Sequence, residues 1–523
     1  MPFTLPSKDP HTLSKGFYKT DAFSRKRLYK VTKEINSYKK SFFVNTLYEA
    51  YAIKKTITEE DVNPRYIANL LSINPSKDIS PYKDIEYLPS SSYISLNNHN
   101  VEKIFCYEPF ENGKNINNEN ELIHYFKEEF ILNLERIVQH NNKPIACEHS
   151  SGLDSNLIIS SLIKELGTIP NSIFTWSNIS SGEESLIKKF CSEYEIPESN
   201  NYHLSAPSNF KEYIHHQKEI IKKFGAPTIG NFDLRCMSDL SSAGCKLFFS
   251  GLGGDQALTN LGGNISIDLL HNFNLKQYIV WNGGLRKSLK GLVINLIGLL
   301  SLRFANTLIP SIREQKYRFE NFNNLLKSNL TEYSYKLFGK FLKEDKYINN
   351  SFLSQRQWII NNVLSDQIYI RAFEESILAK SFGMEKQYPM LNENLIATLL
   401  NHCSQIFSEK ENNKRYIFRK AFSDLLPYEL IENPNKERII YLSDLNKFCE
   451  EVKNWNRVIL QENINSTLER ENLFQFFDLN KICEEAEILL NSKDATHHLL
   501  FSYNQSFATL RKISDWFLMI RGY

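Results

Sequence analysis

The architecture of this chain follows from one stretch, Ile145-Ala146-Cys147-Glu148-His149-Ser150-Ser151-Gly152-Leu153-Asp154-Ser155-Asn156-Leu157-Ile158-Ile159. A short apolar run enters a turn of serines and glycine, and helix-compatible residues follow at once. This order predicts a strand, a tight loop and a helix N-terminus, where backbone N–H groups and the helix dipole converge on an anion. We therefore expect the loop to bind phosphate.

Asp154 gives this loop a chemistry that differs from that of the Walker P-loop. The Gly-Lys-Ser/Thr ending of a Walker loop is missing, so no lysine is placed to follow a transferred γ-phosphate. An aspartate beside bound phosphate can instead hold Mg²⁺ against pyrophosphate. An ordinary Ser/Gly turn in an α/β unit is the alternative interpretation.

A second strand-to-loop segment lies about a hundred residues further on, Lys246-Leu247-Phe248-Phe249-Ser250-Gly251-Leu252-Gly253-Gly254-Asp255-Gln256. An apolar run again enters glycines that permit close backbone approach, and an aspartate follows that can share a metal. Around the first loop, strands predicted at 145–149 and 172–177 flank a helix predicted at 156–166. This spacing predicts a parallel α/β sheet with right-handed crossovers and a ligand at the carboxyl ends of its strands.

The two loops resemble those of a known family. Residues 150–155 resemble the Ser-Gly-Gly-Leu-Asp-Ser loop of the ATP-pyrophosphatases, and residues 250–256 are similar to the Ser-Gly-Glu-Gly-Ser-Asp-Glu segment of the asparagine synthetase family. Residues 383–392 resemble the family signature Gly-Val-Glu-x-Arg-x-Pro-Phe-Leu-Asp, and residues 414–427 resemble its Lys-Tyr-Leu-Leu-Arg helix and Leu-Pro turn. In order and spacing, these four segments cover about residues 115 to 440.

The resemblance implies ATP and Mg²⁺ as cofactors, with ATP cleaved between its α and β phosphates to activate a carboxylate as its adenylate. The nucleotide contacts that it implies are Ser150, Ser151, Gly152, Asp154, Ser155, Ser250, Gly251, Gly253 and Gly254. It assigns Mg²⁺ to Asp154 and Asp255. Lys436, one residue later than the family's catalytic lysine, is the candidate for stabilising a tetrahedral oxyanion, and a surface lysine is the alternative. Glu375 is the candidate for helping to deprotonate the attacking amine.

Three of the departures from the family pattern bear on the predicted chemistry. Ser151 replaces a glycine, at a cost of about 1 kcal/mol or more if the position needs a positive φ. Leu252 stands where asparagine synthetases have glutamate and β-lactam synthetases have tyrosine, and leucine offers neither acid–base chemistry nor a hydrogen bond. Asn392 replaces an aspartate.

Residues 1–114 are predicted to form a small α+β domain. A short helix is predicted at 66–71, and alternating residues around the turn 97–100 predict a hairpin. This part resembles the tail of the family's glutaminase domain, whose catalytic cysteine stands at position 2. Pro2 supplies no thiol and the segment is too short for a whole glutaminase, so we expect a remnant without ammonia-producing activity. The Asn-rich linker 111–118 is the predicted boundary to a synthetase domain over residues 115–523.

Composition argues against several other classes of protein. A net charge of +2 provides no global basic field for nucleic acid. Eight cysteines without a Cys-x-x-Cys pair predict neither a zinc site nor a redox pair, and free thiols fit a cytoplasmic location. No signal peptide is predicted.

The most apolar part of the chain lies next to a basic cluster. The run 291–302 is too short to span a bilayer and predicts a buried helix. The nearby Arg286, Lys287 and Lys290 predict a solvated helix face, with a guide for an acidic peptide as the alternative.

The sequence thus predicts an α/β protein: a degenerate α+β N-terminal domain, then a parallel-sheet ATP-pyrophosphatase domain with a helical C-terminal half. In the family that it resembles, lasso-peptide macrocyclases combine a degenerate N-terminal domain with a variable residue at the Leu252 position. They adenylate an Asp or Glu side chain and close it onto the N-terminal amine. The resemblance therefore predicts a macrocyclase of this kind. Its substrate would be a precursor peptide, and a leader peptidase is a candidate partner.

Other functions remain open on the sequence. Within the family, the alternatives are a β-lactam-synthetase-like cyclase, another small-molecule amide synthetase and an ammonia-dependent asparagine synthetase. A tRNA-modifying ATP-pyrophosphatase would share the first loop, but would be expected to show a reactive cysteine pair or a basic surface. Ser151 and Leu252 also leave room for a non-catalytic binding protein.

Overall fold

A computed structural model describes residues 12–23, 25–72, 78–139, 143–176, 181–204, 210–228, 234–260, 265–271, 273–300, 353–403, 415–432, 509 and 512–521. The predicted catalytic residue Lys436 lies outside these ranges. The sequence also predicts a helical apolar stripe that serves packing near the end of the chain, formed by Phe507, Leu510, Ile513, Phe517 and Ile520. Its first two residues lie outside the described ranges.

The first part of the chain forms two three-stranded antiparallel sheets with two helices. The elements are β1 (Gly16–Thr20), β2 (Tyr29–Ile35), β3 (Tyr38–Val44), α1 (Leu47–Lys54), α2 (Pro64–Ser72), β4 (Ile85–Tyr87), β5 (Ser92–Asn97) and β6 (Asn100–Cys106). One sheet has the order β1-β5-β6 and the other β3-β2-β4. The predicted hairpin is confirmed by the antiparallel pairing of β5 with β6, and the predicted helix by α2.

A five-stranded parallel sheet lies at the centre of the chain. Its strands are β7 (Ile145–Glu148), β8 (Ser172–Trp176), β9 (Asn201–Leu204), β10 (Leu247–Phe249) and β11 (Glu385–Gln387), in the order β11-β10-β7-β8-β9. The three predicted strands are all present, and the predicted parallel α/β sheet is confirmed. Because β8 and β10 lie on opposite sides of β7, the strand order reverses between β7 and β10. Such a reversal opens a crevice at the carboxyl ends of the two strands, where ligands bind in sheets of this kind.

Helices cover both faces of this sheet. They are α3 (Glu119–Gln139), α4 (Leu153–Lys164), α5 (Ser181–Glu193), α6 (Phe210–Phe224) and α7 (Leu234–Ser242). The spacing of apolar residues after the linker predicts a core-facing helical stripe of Leu122, Phe126, Phe130, Leu134 and Ile137. The burial of the first four in α3 confirms it. Alternate strand residues face opposite layers: Cys147 and Phe249 pack in the cluster that contains these α3 residues, whereas Ala146 and Phe248 pack in a second cluster. Burial on both sides is typical of parallel sheets.

Helices dominate the described residues after β10. They are α8 (Ile265–His271), α9 (Leu275–Trp281), α10 (Leu285–Leu300), α11 (Gln355–Val363), α12 (Asp366–Ser381), α13 (Glu393–Asn401), α14 (Tyr416–Ala421), α15 (Tyr428–Glu432) and a helix over 512–520. Among the described residues, no helix is both long and apolar enough to cross a membrane.

The first part of the chain shares a core with the central sheet. Val31, Tyr51 and Tyr82 belong to the same buried cluster as Phe248 of β10 and Phe373 of α12. Polar contacts cross this boundary as well: the Tyr51 hydroxyl donates to the Phe224 carbonyl at 2.9 Å. The first part of the chain therefore packs against the layer on one face of the central sheet.

Candidate nucleotide site

The first predicted loop connects β7 to α4. The helix begins at Leu153, with Gly152 as its N-cap, so it starts three residues earlier than predicted and includes Asp154 in its first turn. An acidic side chain there interacts favourably with the helix dipole and also lies where the dipole attracts phosphate. Ser151 is not among the described residues with positive φ, so the strain considered for that substitution does not arise.

Side chains of the loop and of α4 fix its shape. Asn156 Nδ2 donates to the carbonyls of Ser150 at 2.8 Å and Gly152 at 2.7 Å, and Asn156 Oδ1 lies 2.9 Å from His149 Nε2. The Ser155 hydroxyl accepts from the Ser150 N–H at 3.2 Å. These contacts turn the loop carbonyls inward, and a loop fixed in this way is pre-organised for an anion.

Asp154 joins the first loop to the second. Its Oδ1 accepts a hydrogen bond from the Thr259 hydroxyl at 2.7 Å, and Thr259 is fully buried. A Cβ on Gly254 would lie 2.3 Å from Asp154 Cγ and 2.4 Å from its Oδ2. A Cβ on Gly251 would lie 3.0 Å from Asp154 Cβ. With the Asp154 carboxylate in this position, a side chain at 254 would fit only if the carboxylate moved.

The glycine before this contact has a different role. Gly253 adopts a left-handed conformation, with φ of 100°, where it caps the π-helical turn Gly254–Leu258. This turn ends at Thr259 and so brings the hydroxyl to Asp154. Both predicted strand-to-loop segments thus meet at the crevice between β7 and β10.

Asp255, the second predicted magnesium ligand, follows Gly254 directly. Its Oδ1 lies 3.2 Å from Nη2 of Arg415, and its side chain is 44% exposed while that of Arg415 is 6% exposed. Arg415 itself is left-handed, with φ of 67°, at the N-cap of α14. The contact connects the second loop to the helix of the fourth family-like segment.

The two aspartates offer carboxylate oxygens, the ligands that Mg²⁺ prefers. Among the described residues, no group of three or more His, Cys, Asp or Glu side chains is arranged to hold a metal. Mg²⁺ needs no such cage, since it commonly takes one or two carboxylates together with phosphate oxygens and water. Asp154 and Asp255, on two loops that touch, fit that requirement.

A row of charged side chains crosses the sheet next to the loops. Glu148 ends β7, and its Oε2 accepts from the Ser250 hydroxyl at 2.5 Å. Lys386 of β11 bridges Glu148 Oε1 at 2.7 Å and Glu375 Oε2 at 2.5 Å. Glu375 Oε1 is also 3.4 Å from Nε of Arg371. The row therefore alternates in sign from Glu148 through Lys386 and Glu375 to Arg371.

Burial makes these charges depend on one another. Burial raises the pKa of Glu148, but the charge and hydrogen bond of Lys386 outweigh this effect, so its pKa lies below the ordinary value. Burial lowers the pKa of Lys386, but Glu148 and Glu375 together raise it above the ordinary value. Both groups are thus ionised at neutral pH. The solvent-facing members of the row are Arg371, 52% exposed, and Glu148, 26% exposed.

Several predicted site residues take part in this arrangement. Ser250 donates its hydroxyl proton to Glu148 and accepts from the Leu252 N–H at 3.3 Å, so it has an acceptor lone pair left for a ligand. Glu375 is buried, and it also accepts from the Tyr388 hydroxyl at 3.2 Å. Its role toward an amine remains a prediction. Leu252 is buried within the apolar cluster that contains Leu153 and Leu391.

Asn392, the third departure from the family pattern, has a structural role. Its Oδ1 accepts from the N–H groups of Asn394 at 2.9 Å and Leu395 at 3.1 Å, so it caps α13. Asparagine and aspartate are about equally good in this position.

Sequence reasoning missed four residues of the site: Glu148, Lys386, Thr259 and Arg415. The first two carried a signal, since each is a charged residue inside a short strand of a buried sheet, which is rare unless the charge is paired. Thr259 and Arg415 carried none, because their contacts depend on a π-helical turn and a left-handed residue.

Comparison with known proteins supports the resemblance seen in the sequence. Residues 133–505 match the family model described as asparagine synthase, which is well over half of the chain. None of the curated proteins matches the chain. The matched range includes both loops, the charged row and Lys436.

Proposed function

Since the chain belongs to the asparagine synthase family, whose members form amide bonds with ATP, we propose that it closes a macrolactam in a precursor peptide through an acyl-adenylate. The observation that carries this proposal is the contact of the two loops around Asp154, where the strand order of the sheet reverses. A site of this kind suits a nucleotide triphosphate whose pyrophosphate leaves.

The loops bind and orient the triphosphate. The N–H groups of Ser150 and Gly152 donate within the loop, so those of Leu153, Asp154 and Ser155, in the first turn of α4, would bind the β and γ phosphates. Asp154 and Asp255 would hold Mg²⁺, which when bound neutralises charge on the departing pyrophosphate. A substrate carboxylate oxygen attacks the α-phosphorus, the bond from that phosphorus to the bridging oxygen breaks, and pyrophosphate leaves.

The second step forms the amide. The amine attacks the acyl carbon, the tetrahedral adduct loses a proton, and AMP departs with the electron pair of the broken C–O bond. We assign stabilisation of the oxyanion to Lys436, and acceptance of the proton to the row that contains Glu375 and Glu148. A buried carboxylate of low pKa is a poor base toward free ammonium, but it accepts the much more acidic proton of the adduct.

The choice of nucleophile rests on what the crevice offers. Leu252 points into the apolar core, so its position supplies no acid or base for ammonia. An amine on the substrate itself needs less help, because proximity alone can contribute about 7 kcal/mol to the barrier reduction. Arg371 and Glu148, the exposed ends of the row, provide one charge of each sign for a peptide that carries an amine and a carboxylate. A leader peptidase would supply the free N-terminus.

The test is a linear peptide with a free N-terminus and an internal Asp or Glu. With Mg·ATP, the peptide should lose one water while ATP becomes AMP, and the N-acetylated peptide should not cyclise. Mass spectrometry that shows instead a carboxamide made from added ammonia, on aspartate or another small acid, would refute the macrocyclase and leave the general adenylating reaction.

A further inference from the structure

The hairpin of α9 and α10 exposes apolar side chains that play no part in the nucleotide site. Gly283 and Gly284, both with positive φ, make the turn between the two helices. Six large apolar side chains of this region are each more than half exposed: Phe273, Leu275, Val280, Leu285, Leu289 and Val293. Val293 belongs to the run 291–302, so the prediction of a buried helix is wrong at this residue. Exposed apolar side chains that cluster in this way mark a binding surface more often than chance.

The apolar residues of α10 form one stripe with cations beside it. Leu285, Leu289 and Val293 are spaced at four-residue intervals, so they lie above one another on the helix. Arg286 and Lys290 follow one position later, which places them about 100° further round the helix. The helix therefore presents an apolar row bordered by a basic row, the pattern of a helix that lies in a membrane interface.

Packing fixes which side of α10 faces outward. Ser288 is buried, its hydroxyl donates to the Gly284 carbonyl at 2.8 Å, and its own carbonyl accepts from the Tyr278 hydroxyl at 3.4 Å. A Cβ on Gly291 would lie 2.9 Å from that hydroxyl oxygen. Ser288 and Gly291 thus form the inner side of α10, so the apolar stripe faces away from the protein.

The region also differs from the rest of the chain in charge. The whole sequence has 62 Lys and Arg against 60 Asp and Glu. Between Asp268 and Glu314, however, there is no acidic residue, and the cations in that interval are Lys276, Arg286, Lys287, Lys290, Arg303 and Arg313. Of these cations, Lys276, Arg286, Lys287 and Lys290 belong to α9 and α10, the helices that carry the exposed apolar side chains.

We propose that the α9–α10 hairpin binds the surface of an anionic lipid bilayer. The apolar stripe enters the boundary between headgroups and acyl chains, and Arg286, Lys287 and Lys290 pair with lipid phosphates. A second copy of the chain fits this surface less well, because the same cations would face each other across a dimer. An acidic protein would use the cations but leave the apolar stripe without a matching partner.

The experiment measures co-sedimentation of the full chain with vesicles. Vesicles of phosphatidylcholine and phosphatidylglycerol in equal parts should bind the protein, and pure phosphatidylcholine should bind it much less. Replacing the three cations together, by Arg286→Gln, Lys287→Gln and Lys290→Gln, should lower the partition coefficient by about tenfold or more. The double variant Leu285→Gln and Leu289→Gln should lower it to a similar degree. All five side chains are exposed, so the fold should not change.

Matched controls lie on the first part of the chain. Phe17→Gln removes an equally exposed ring, and Lys39→Gln with Lys40→Gln removes exposed cations, so vesicle binding should not change in either variant. The proposal would be overturned if the protein did not bind the anionic vesicles, or bound pure phosphatidylcholine vesicles equally well. It would also be overturned if the hairpin variants bound as wild type does. Light scattering that shows a dimer broken by Leu285→Gln and Leu289→Gln would assign the surface to a second copy instead. Binding to polyglutamate without binding to vesicles would assign it to an acidic protein.

Discussion

Two uncharged neighbours, Thr259 and Gly254, determine the orientation of the Asp154 carboxylate. Thr259 donates to one carboxylate oxygen, and Gly254 leaves room for the carboxylate in the position that it occupies here. The carboxylate is therefore oriented before any ligand arrives. Pre-organisation of this kind is what electrostatic catalysis requires, since the charge needs no rearrangement during the reaction.

Asp154→Asn and Asp255→Asn should each abolish AMP formation and leave the fold intact. Each change removes one negative charge from a site that must hold Mg²⁺ against pyrophosphate. AMP release is measured on the purified variants with Mg·ATP and the linear peptide, and melting temperature is measured beside it. Asp424→Asn, an exposed carboxylate that contacts Lys127, is the control and should behave as wild type. Near-normal AMP release by either site variant would show that the metal assignment is wrong.

Thr259→Val should weaken binding of Mg·ATP by about tenfold or more, because a hydrogen bond to a charged partner is lost. Thr259→Ser keeps the donor and should bind nearly as wild type. Calorimetry with ATP in the presence of EDTA provides the control, since metal-free binding does not need the orientation of Asp154. If Thr259→Val lowers metal-free and Mg·ATP affinity equally, the hydroxyl has a structural role and the positioning argument fails.

At the scale of elements, β11 shows how a strand forms against its propensity. Its three residues, Glu385 to Gln387, are all polar or charged, and such residues are depleted in strands. Pairing with β10 and the two ion pairs of Lys386 hold it in the sheet. Replacing one partner of such a buried network leaves unpaired charges, which is far costlier than the loss of a surface pair.

Lys386→Met should destabilise the protein by about 3 kcal/mol at neutral pH, because Glu148 and Glu375 lose the charge between them. Urea unfolding measures the difference. Lys143→Met is the matched control: Lys143 pairs with Glu385 of the same strand at 3.3 Å, but both side chains are exposed. Loss of this exposed ion pair should lower the unfolding free energy by less than about 1 kcal/mol. Equal effects of the two changes would contradict the network described here.

The effect of Lys386→Met should also depend on pH. The folded-state pKa of Glu148 lies below its ordinary value of 4.5, so its contribution is present above that pH. The contribution is lost as the pH falls through the folded-state pKa. The difference in unfolding free energy between wild type and Lys386→Met should therefore shrink below pH 4.5. A difference that stays constant in acid would show that Glu148 is not paired with Lys386.

The sequence predicted the elements whose periodicity is strong and missed those made by long-range contacts. The strands that enter the two loops, the stripe of α3 and the hairpin of β5 and β6 all follow local patterns, and all are confirmed. Residues 182–185 predict the start of a helix, and α5 begins at Ser181. The sequence did not predict β11, because it exists through pairing with a strand more than a hundred residues away. Thr259 and Arg415 were missed for the same physical reason, whereas Glu148 and Lys386 carried a signal as charged residues inside short strands of the sheet.

At the scale of the whole molecule, the last described helix packs against the first part of the chain. Trp516, in the helix over 512–520, donates its indole N–H to the Tyr82 hydroxyl at 3.1 Å and packs against the Tyr66 and Tyr82 rings. Ile513, Phe517 and Ile520 are buried in the same cluster, so the described part of the predicted apolar stripe serves packing. Lys512 accompanies them into the core, where its ammonium donates to the Thr228 carbonyl at 3.2 Å.

Lys512 should make stability rise with pH in the alkaline range. Burial lowers its pKa from 10.5 to about 8, and nearby Glu374 only partly offsets this. Between these values the unfolded chain binds more protons than the folded one, so the stability of the folded state increases as the pH rises from about 8 to 10.5. Urea unfolding of wild type and of Lys512→Met measures this effect. Relative to the variant, the unfolding free energy of wild type should rise by up to about 3 kcal/mol across this interval. A difference in unfolding free energy that does not change with pH would show that the Lys512 ammonium is in contact with water.

The transfer of labelled oxygen tests the central claim most directly. A linear peptide with a free N-terminus, whose internal Asp or Glu carboxylate carries ¹⁸O, is incubated with the protein and Mg·ATP, and the released nucleotide is analysed by mass spectrometry. An acyl-adenylate leaves one carboxylate oxygen on the phosphorus of AMP, so we predict AMP that contains one ¹⁸O, formed in step with the cyclic amide. Unlabelled AMP, or ADP with labelled inorganic phosphate, would contradict the account.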